Sequence, residues 1–278
     1  MPLLATPEDV IALRAAGGRV TVLDVRWRLD RPDGRPDYLA GHVPGAVWVD
    51  LDRELATHGS PDQGRHPLPS RRTLQDAARR WGLDDGDTVV IYDDWNSLAA
   101  ARAWWLLRGS GVADVRVLDG GLRAWTDAGL PLETRDVVPA RGSITLTELA
   151  DGVVSIDDAA RWPARGVLLD SRAPERYRGE VEPLDPAAGH IPGARNLPAA
   201  AVLDAGRFRD AGALRTAFAE VGATPGVPVA AYCGSGITAA HTALAGELAG
   251  IDVAVYPGSW SQWSNSPGRP VATGGAPA

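Results

Sequence analysis

Gly41-His42-Val43-Pro44-Gly45-Ala46 returns 148 positions later as Gly189-His190-Ile191-Pro192-Gly193-Ala194, and this recurrence decides how the chain is organised. Three further blocks recur in the same order around it. Val22-Leu23-Asp24-Val25-Arg26 is echoed by Leu168-Leu169-Asp170-Ser171-Arg172, Val89-Val90-Ile91-Tyr92-Asp93 by Val229-Ala230-Ala231-Tyr232-Cys233, and Gly120 to Trp125 by Gly258 to Trp263. Self-similarity at a near-constant offset marks a duplicated unit. The 278 residues therefore read as two copies of one domain, 1–136 and 143–278, each long enough to bury its own core. Around the join, Glu133 to Gly142 loses apolar periodicity, carries Pro139 and reads as a linker.

Within each copy, short β-rich runs alternate with helical ones. Thr6 before Pro7, with Asp9 three positions after the threonine, signals a helix start, and Ser155 with Asp158 repeats the device. Strands are expected near Val20 to Val25, Thr88 to Tyr92, Val115 to Leu118, Val167 to Asp170, Val227 to Tyr232 and Val253 to Val255. Helices are expected at Ser70 to Trp81, Ser97 to Arg108, Ala211 to Val221 and Thr238 to Ala249. Such alternation implies an α/β fold in which a mostly parallel sheet is flanked by helices on both faces. Ligands in such sheets bind beyond the carboxyl ends of the strands.

A formal charge of −7 argues against a nucleic-acid or anionic-membrane partner, since either needs a locally dense positive field. No apolar run approaches the roughly 20 residues that cross a bilayer. One cysteine rules out an internal disulfide framework and, with no charged and apolar leader at the start, points to a reducing, cytoplasmic setting.

That cysteine ends the apolar run Val227 to Tyr232 and opens Cys233-Gly234-Ser235-Gly236-Ile237-Thr238, ahead of an alanine-rich helix. A thiol between a strand and a helix N-terminus, under a turn of small residues, meets main-chain N–H groups and a helix dipole that favour the thiolate. Gly234 and Gly236 let the loop curl so that several N–H groups face one sulfur. Thr238 is placed to cap the following helix.

The duplication supplies a control. Asp24 and Asp170, Arg26 and Arg172, and His42 and His190 occur in both copies, which assigns them to ion pairing, turns and core contacts. Position 93 holds Asp where the second copy holds Cys233, and a carboxylate cannot do thiol chemistry, so only the second half is expected to be covalently active. Arg176 is unmatched too: its counterpart is Asp30. A guanidinium at the mouth of the loop can hold an anionic substrate, and neighbouring Arg178 reads as a solvated cation.

Other readings of the loop fit less well. Gly234-x-Gly236-x-x-Ala239 only superficially matches a dinucleotide fingerprint. A cysteine phosphatase needs an arginine where Ala239 stands. No local signature supports a papain-like hydrolase, and one cysteine without paired-histidine spacing argues against a metal site. No cofactor is expected.

On these motifs the chain resembles the tandem-domain sulfurtransferases of the rhodanese family over essentially its whole length. The marks are an Asp-x-Arg strand end and a Gly-His-x-Pro-Gly-Ala block in each half, a six-residue loop in the second half only, and a Gly-Gly-x-x-x-Trp segment that becomes Gly258-Ser259-Trp260-Ser261-Gln262-Trp263 in the second half. The resemblance implies two rhodanese-like domains, the first inactive. Thiosulfate-type members carry Cys-Arg-Lys-Gly-Val-Thr; the loop here looks like the 3-mercaptopyruvate type. The implied activity moves sulfur from 3-mercaptopyruvate, through a persulfide on Cys233, to a thiol, cyanide or a protein such as thioredoxin. Thiosulfate is the second donor, and a non-catalytic docking module the remaining alternative. The resemblance further implies a relay of Ser235, His66 (in Gly64-Arg65-His66-Pro67) and Asp52 across the domain interface, with donor contacts from Arg176, Gly234, Gly236, Ile237 and Thr238. Mercaptopyruvate enzymes offer a second arginine shortly before the Gly-His block. Glu180 to Pro186 contains none, so an incomplete carboxylate grip is expected.

Overall fold

The computed structural model describes residues 1–149 and 151–276; position 150 and the last two residues of the expected second copy lie outside them. The chain forms two compact units, Met1–Thr57 with Leu68–Ala150, and His58–Pro67 with Asp151–Ala278. These are not the two contiguous stretches read from the sequence. Residues after 142 stay with the first unit because its loops hold their backbone: Ile144 N–H donates to Leu83 O at 3.1 Å, Thr147 N–H to Ser110 O at 2.9 Å, and Ile144 and Leu146 are buried. Residues 58–67 join the second unit because Arg65 N–H donates to Ser261 Oγ at 3.0 Å. There, a Cβ on Gly64 would stand 2.9 Å from Gly258 O.

In the first unit the strands are β1 (Leu4–Ala5), β2 (Val20–Asp24), β3 (Val47–Trp48), β4 (Thr88–Tyr92) and β5 (Asp114–Leu118), all parallel in the order β1-β5-β4-β2-β3. Its helices are α1 (Pro7–Ala15), α2 (Arg35–Ala40), α3 (Leu51–Glu54), α4 (Arg71–Arg80), α5 (Leu98–Gly109) and α6 (Gly121–Asp127). The start signals work as their chemistry requires: Thr6 and Asp9 close a reciprocal capping box on α1, and Ser70 caps α4.

The second unit carries β6 (Val167–Asp170), β7 (Arg195–Asn196), a small antiparallel hairpin of β8 (Leu203–Asp204) and β9 (Arg207–Phe208), then β10 (Val229–Tyr232) and β11 (Val253–Val255). Its main sheet is parallel in the order β11-β10-β6-β7. Its helices are α7 (Ile156–Arg161), α8 (Pro174–Tyr177), α9 (Ala211–Glu220), α10 (Ile237–Ala249) and α11 (Ser259–Asn265). Each central strand is buried along nearly its full length, which is why β4 and β10 read as continuous apolar runs.

The residues kept in both copies build the same frame twice. Arg26 grips Asp24 and donates to Gly41 O at 2.8 Å; Arg172 grips Asp170 and donates to Gly189 O at 2.6 Å. His42 stacks on Tyr38, and His190 on Tyr177, with each Nδ1 against that tyrosine's carbonyl oxygen. Tyr92 Oη accepts from Val43 N–H, and Tyr232 Oη from Ile191 N–H, fastening each Gly-His-x-Pro block to its central strand. Buried ion pairs so tied to backbone fix the strand ends, and hence the loops that follow them.

Candidate active site

Cys233 lies directly beyond the carboxyl end of β10, next to the middle of the second unit's sheet, and is 2 % exposed. The chain turns over it at once. Gly236 adopts φ +83°, and a Cβ there would come within 2.3 Å of Pro257 O, so only glycine fits. This turn aims the Gly236 N–H at the sulfur, with N···Sγ 3.1 Å. The thirteen residues of α10 then start at Ile237, which places a helix N-terminus and its partial positive charge beside the thiol.

Thr238 was expected to cap that helix, and it does not. Gly236 occupies the N-cap position without a side-chain bond, so Thr238 falls inside the first turn; Ile237 is buried and Gly234 half-buried. The missing side-chain cap leaves first-turn N–H groups available to a ligand on the sulfur.

Ser235 and His66 come together: His66 Nδ1 and Ser235 Oγ are 2.8 Å apart, and both residues are largely buried. Asp52, the third residue of the implied relay, is a half-buried residue of α3 in the first unit. Arg176 stands at the loop as expected, its Nη1 3.5 Å from where a Cβ on Gly234 would be. Its Nε and Nη2 are held by Glu182 at 3.2 and 2.6 Å.

The sequence reading passed over two contributors. One is Arg65, beside His66 in the quoted motif, whose Nη2 approaches the same Gly234 position at 3.7 Å while Asp185 holds its fork. The other is Ser259, buried at φ +54°, whose Oγ accepts the Cys233 N–H at 3.0 Å and donates to Tyr256 O at 3.0 Å. A non-glycine residue in left-handed backbone costs about 1 kcal/mol or more, and such strain concentrates at functional sites. Its signal was legible: serine replaces the second glycine of the Gly-Gly-x-x-x-Trp segment.

Strand-end thiol, main-chain donors, a serine–histidine contact and two guanidinium groups meet at one loop, an arrangement chemically suited to an anionic substrate and a sulfur nucleophile. A rhodanese-like domain model matches residues 6–128 and 155–266. The chain belongs to the rhodanese-like family, in two tandem copies, and is a sulfurtransferase. It is 49% identical over 278 residues to the Mycobacterium tuberculosis protein named "Putative thiosulfate sulfurtransferase SseB", a match spanning 99% of this chain and 98% of the relative. It is 43% identical to the Pseudomonas aeruginosa "Probable 3-mercaptopyruvate sulfurtransferase", over 95% of this chain and 96% of that one. The crystal structure of SseA from Escherichia coli, described as a 3-mercaptopyruvate sulfotransferase with the rhodanese fold, superposes with a TM-score of 0.81 at 31% identity, covering 94% of this chain and 99% of that one. Among the described residues no helix is long and apolar enough to cross a membrane.

Proposed function

We propose that the protein takes sulfur from 3-mercaptopyruvate onto Cys233 as a persulfide and passes it to a thiophilic acceptor. The observation that carries this reading is the sulfur's setting: a buried thiol at a strand end, with the Gly236 N–H on Sγ and the start of α10 beside it. Such a setting aims main-chain donors at the charge that sulfur carries during transfer.

In the first half-reaction the Cys233 thiolate attacks the sulfur of 3-mercaptopyruvate. An S–S bond forms, the donor's C–S bond breaks, and its electron pair passes to carbon as the pyruvate enolate. The donor's thiol proton reaches that carbon, and the Ser235–His66 pair, in hydrogen-bond contact, is suited to move it. Pyruvate leaves, and the enzyme keeps the extra sulfur as a persulfide anion. Asp52 remains the candidate to orient His66, on the family resemblance. Main-chain N–H groups of the Gly234–Gly236 loop and of Ile237 and Thr238 stabilise the charged sulfurs. In the second half-reaction a thiol, cyanide or a protein such as thioredoxin takes the outer sulfur and Cys233 returns to thiolate. The unpaired single cysteine supports a reducing, cytoplasmic setting.

Thiosulfate is the second donor, favoured by the name of the Mycobacterium tuberculosis relative. The test is peptide mass spectrometry after exposure to each donor. One added sulfur atom on the Cys233 peptide, lost on adding thiol and missing from Cys233→Ser, is expected; turnover that survives Cys233→Ser overturns the reading.

A further inference from the structure

Asp185 occupies one edge of the Arg65 guanidinium: Nη1 donates to Oδ1 at 3.0 Å and Nη2 to Oδ2 at 3.3 Å. A guanidinium is a rigid plane of five N–H donors, so a second edge remains, made of Nε–H and the other proton of Nη2. That edge is open. Nε is buried and has no hydrogen-bond partner among the described residues. A buried charged donor without an acceptor is costly, and its presence in a folded protein calls for something that fills it.

The open edge has a counterpart. Glu182 occupies the Nε/Nη2 edge of Arg176, leaving Nη1 and the outer proton of Nη2. Nη1 and Nη2 of Arg176, and Nη2 of Arg65, stand 3.5, 3.9 and 3.7 Å from one point, the site of a Cβ on Gly234. Two forks, each aligned from behind by its own acid, thus meet over a glycine adjacent to Cys233. Asp185 ties them together, since its Oδ2 lies 3.3 Å from Nη2 of Arg65 and 3.6 Å from Nη2 of Arg176, and its side chain is only 1% exposed. The arginine side chains are 26% and 20% exposed, open enough for a small ligand and dry enough for charge-assisted bonds to count.

We propose that Arg65 and Arg176 together form the grip for the donor's carboxylate, that Asp185 positions both, and that the grip selects a monoanion over a dianion. This rests on the sulfur-transfer reading above. Arg65 and Arg176 are balanced by Asp185 and Glu182, and Arg172 beside them by Asp170. One added negative charge can share two aligned forks; a second has no cation left to meet it, and unpaired charge in a partly dry site is expensive. A planar carboxylate also matches the paired N–H groups of a guanidinium edge.

The test uses the full chain and pyruvate, an unreactive monocarboxylate, alongside both sulfur donors. Arg65→Gln should raise KM for 3-mercaptopyruvate and weaken pyruvate binding, read by calorimetry, by about 10- to 100-fold, as for loss of a charge-assisted pair. The turnover number and the rate at which preformed persulfide passes to thiol should change less than about threefold. Catalytic efficiency with thiosulfate should fall less than with 3-mercaptopyruvate. Asp185→Asn, which keeps both cations, should weaken pyruvate binding by a smaller factor. If Arg65→Gln does not fold, Arg65→Lys keeps the charge against Asp185 but lacks the planar edge, and the same loss is expected. Pyruvate affinity and KM within twofold of wild type in the folded variant overturn the proposal. A wild-type protein that binds pyruvate through Arg65 yet forms no persulfide with either donor leaves the grip standing and removes the sulfur-transfer reading instead.

Discussion

Asp93 and Cys233 end equivalent strands, each beneath the loop that starts the next helix, yet one loop is full and the other is open. Asp93 is wholly buried; its Oδ1 accepts from Trp95 and Ser97 N–H at 2.8 and 2.9 Å, and its Oδ2 from Ala99 and Ala100 N–H at 2.8 and 2.9 Å. The first unit therefore keeps a resident carboxyl group in its cradle. The second presents Cys233, whose Sγ takes the Gly236 N–H at 3.1 Å. The main-chain N–H groups of a strand-to-helix turn point at whatever acceptor the strand end supplies. Putting a thiol there leaves the other donors for the charge that sulfur carries during transfer. The seats also differ at the neighbouring turn: a Cβ on Gly121 would strike Asp93 O at 2.3 Å, whereas its counterpart Ser259 carries a side chain that bonds the nucleophile's own N–H.

The largest effect should come from making the two loops alike. Cys233→Asp gives the second cradle a resident carboxylate, and sulfur transfer should vanish with the fold kept, as read by persulfide mass and circular dichroism. Asp93→Cys should gain no activity, because the first copy has Asp30 where the second has Arg176 and so lacks that cation. A persulfide on a cysteine at position 93 breaks the comparison.

A smaller effect separates proton movement from sulfur capture. His66→Ala should lower turnover with 3-mercaptopyruvate by about 10²- to 10⁴-fold, the usual worth of a positioned acid or base. It should lower turnover with thiosulfate far less, since that donor's outer sulfur brings no proton. Equal losses with both donors remove His66 from proton transfer and leave it as a support for Ser235. Asp52→Asn should follow the same pattern more weakly.

The fold was legible because its signals are local and repeated. Caps at Thr6, Ser70 and Ser155, apolar runs at Val89 and Val229, and two Gly-His-x-Pro blocks each state one element, and the duplication states them twice. The candidate nucleophile stands out for the same reason, as Cys233 and its glycines are contiguous. Arg65 does not. Its role depends on residues 58–67 leaving the first unit to pack on α11, which no periodicity announces, and on Asp185 and Glu182 turning two forks toward Gly234. The family resemblance places a second cation just before the Gly-His block, where Glu180 to Pro186 holds none. The exchange of short segments between the two compact units was hidden for a like reason, since Ile144 and Thr147 hold to the first unit through backbone bonds rather than through a sequence pattern.

The smallest expected effect tests what the filled cradle prefers. Burial pushes the Asp93 carboxyl up to about 6, from 3.8, while the N–H bonds from Ala100, Trp95 and Ser97 pull the other way. A raised value means the folded state holds this proton more tightly than the unfolded chain does. Its contribution is therefore full below about pH 4 and lost as pH rises through about 6, a swing of at most roughly 3 kcal/mol. Urea unfolding of wild type and Asp93→Asn at pH 4.5 and 7 isolates it, because the amide cannot titrate and all other groups are shared. Wild type should lose more stability than the variant on going to pH 7. The opposite slope means that four main-chain donors outweigh desolvation and that the first unit's cradle prefers a full negative charge.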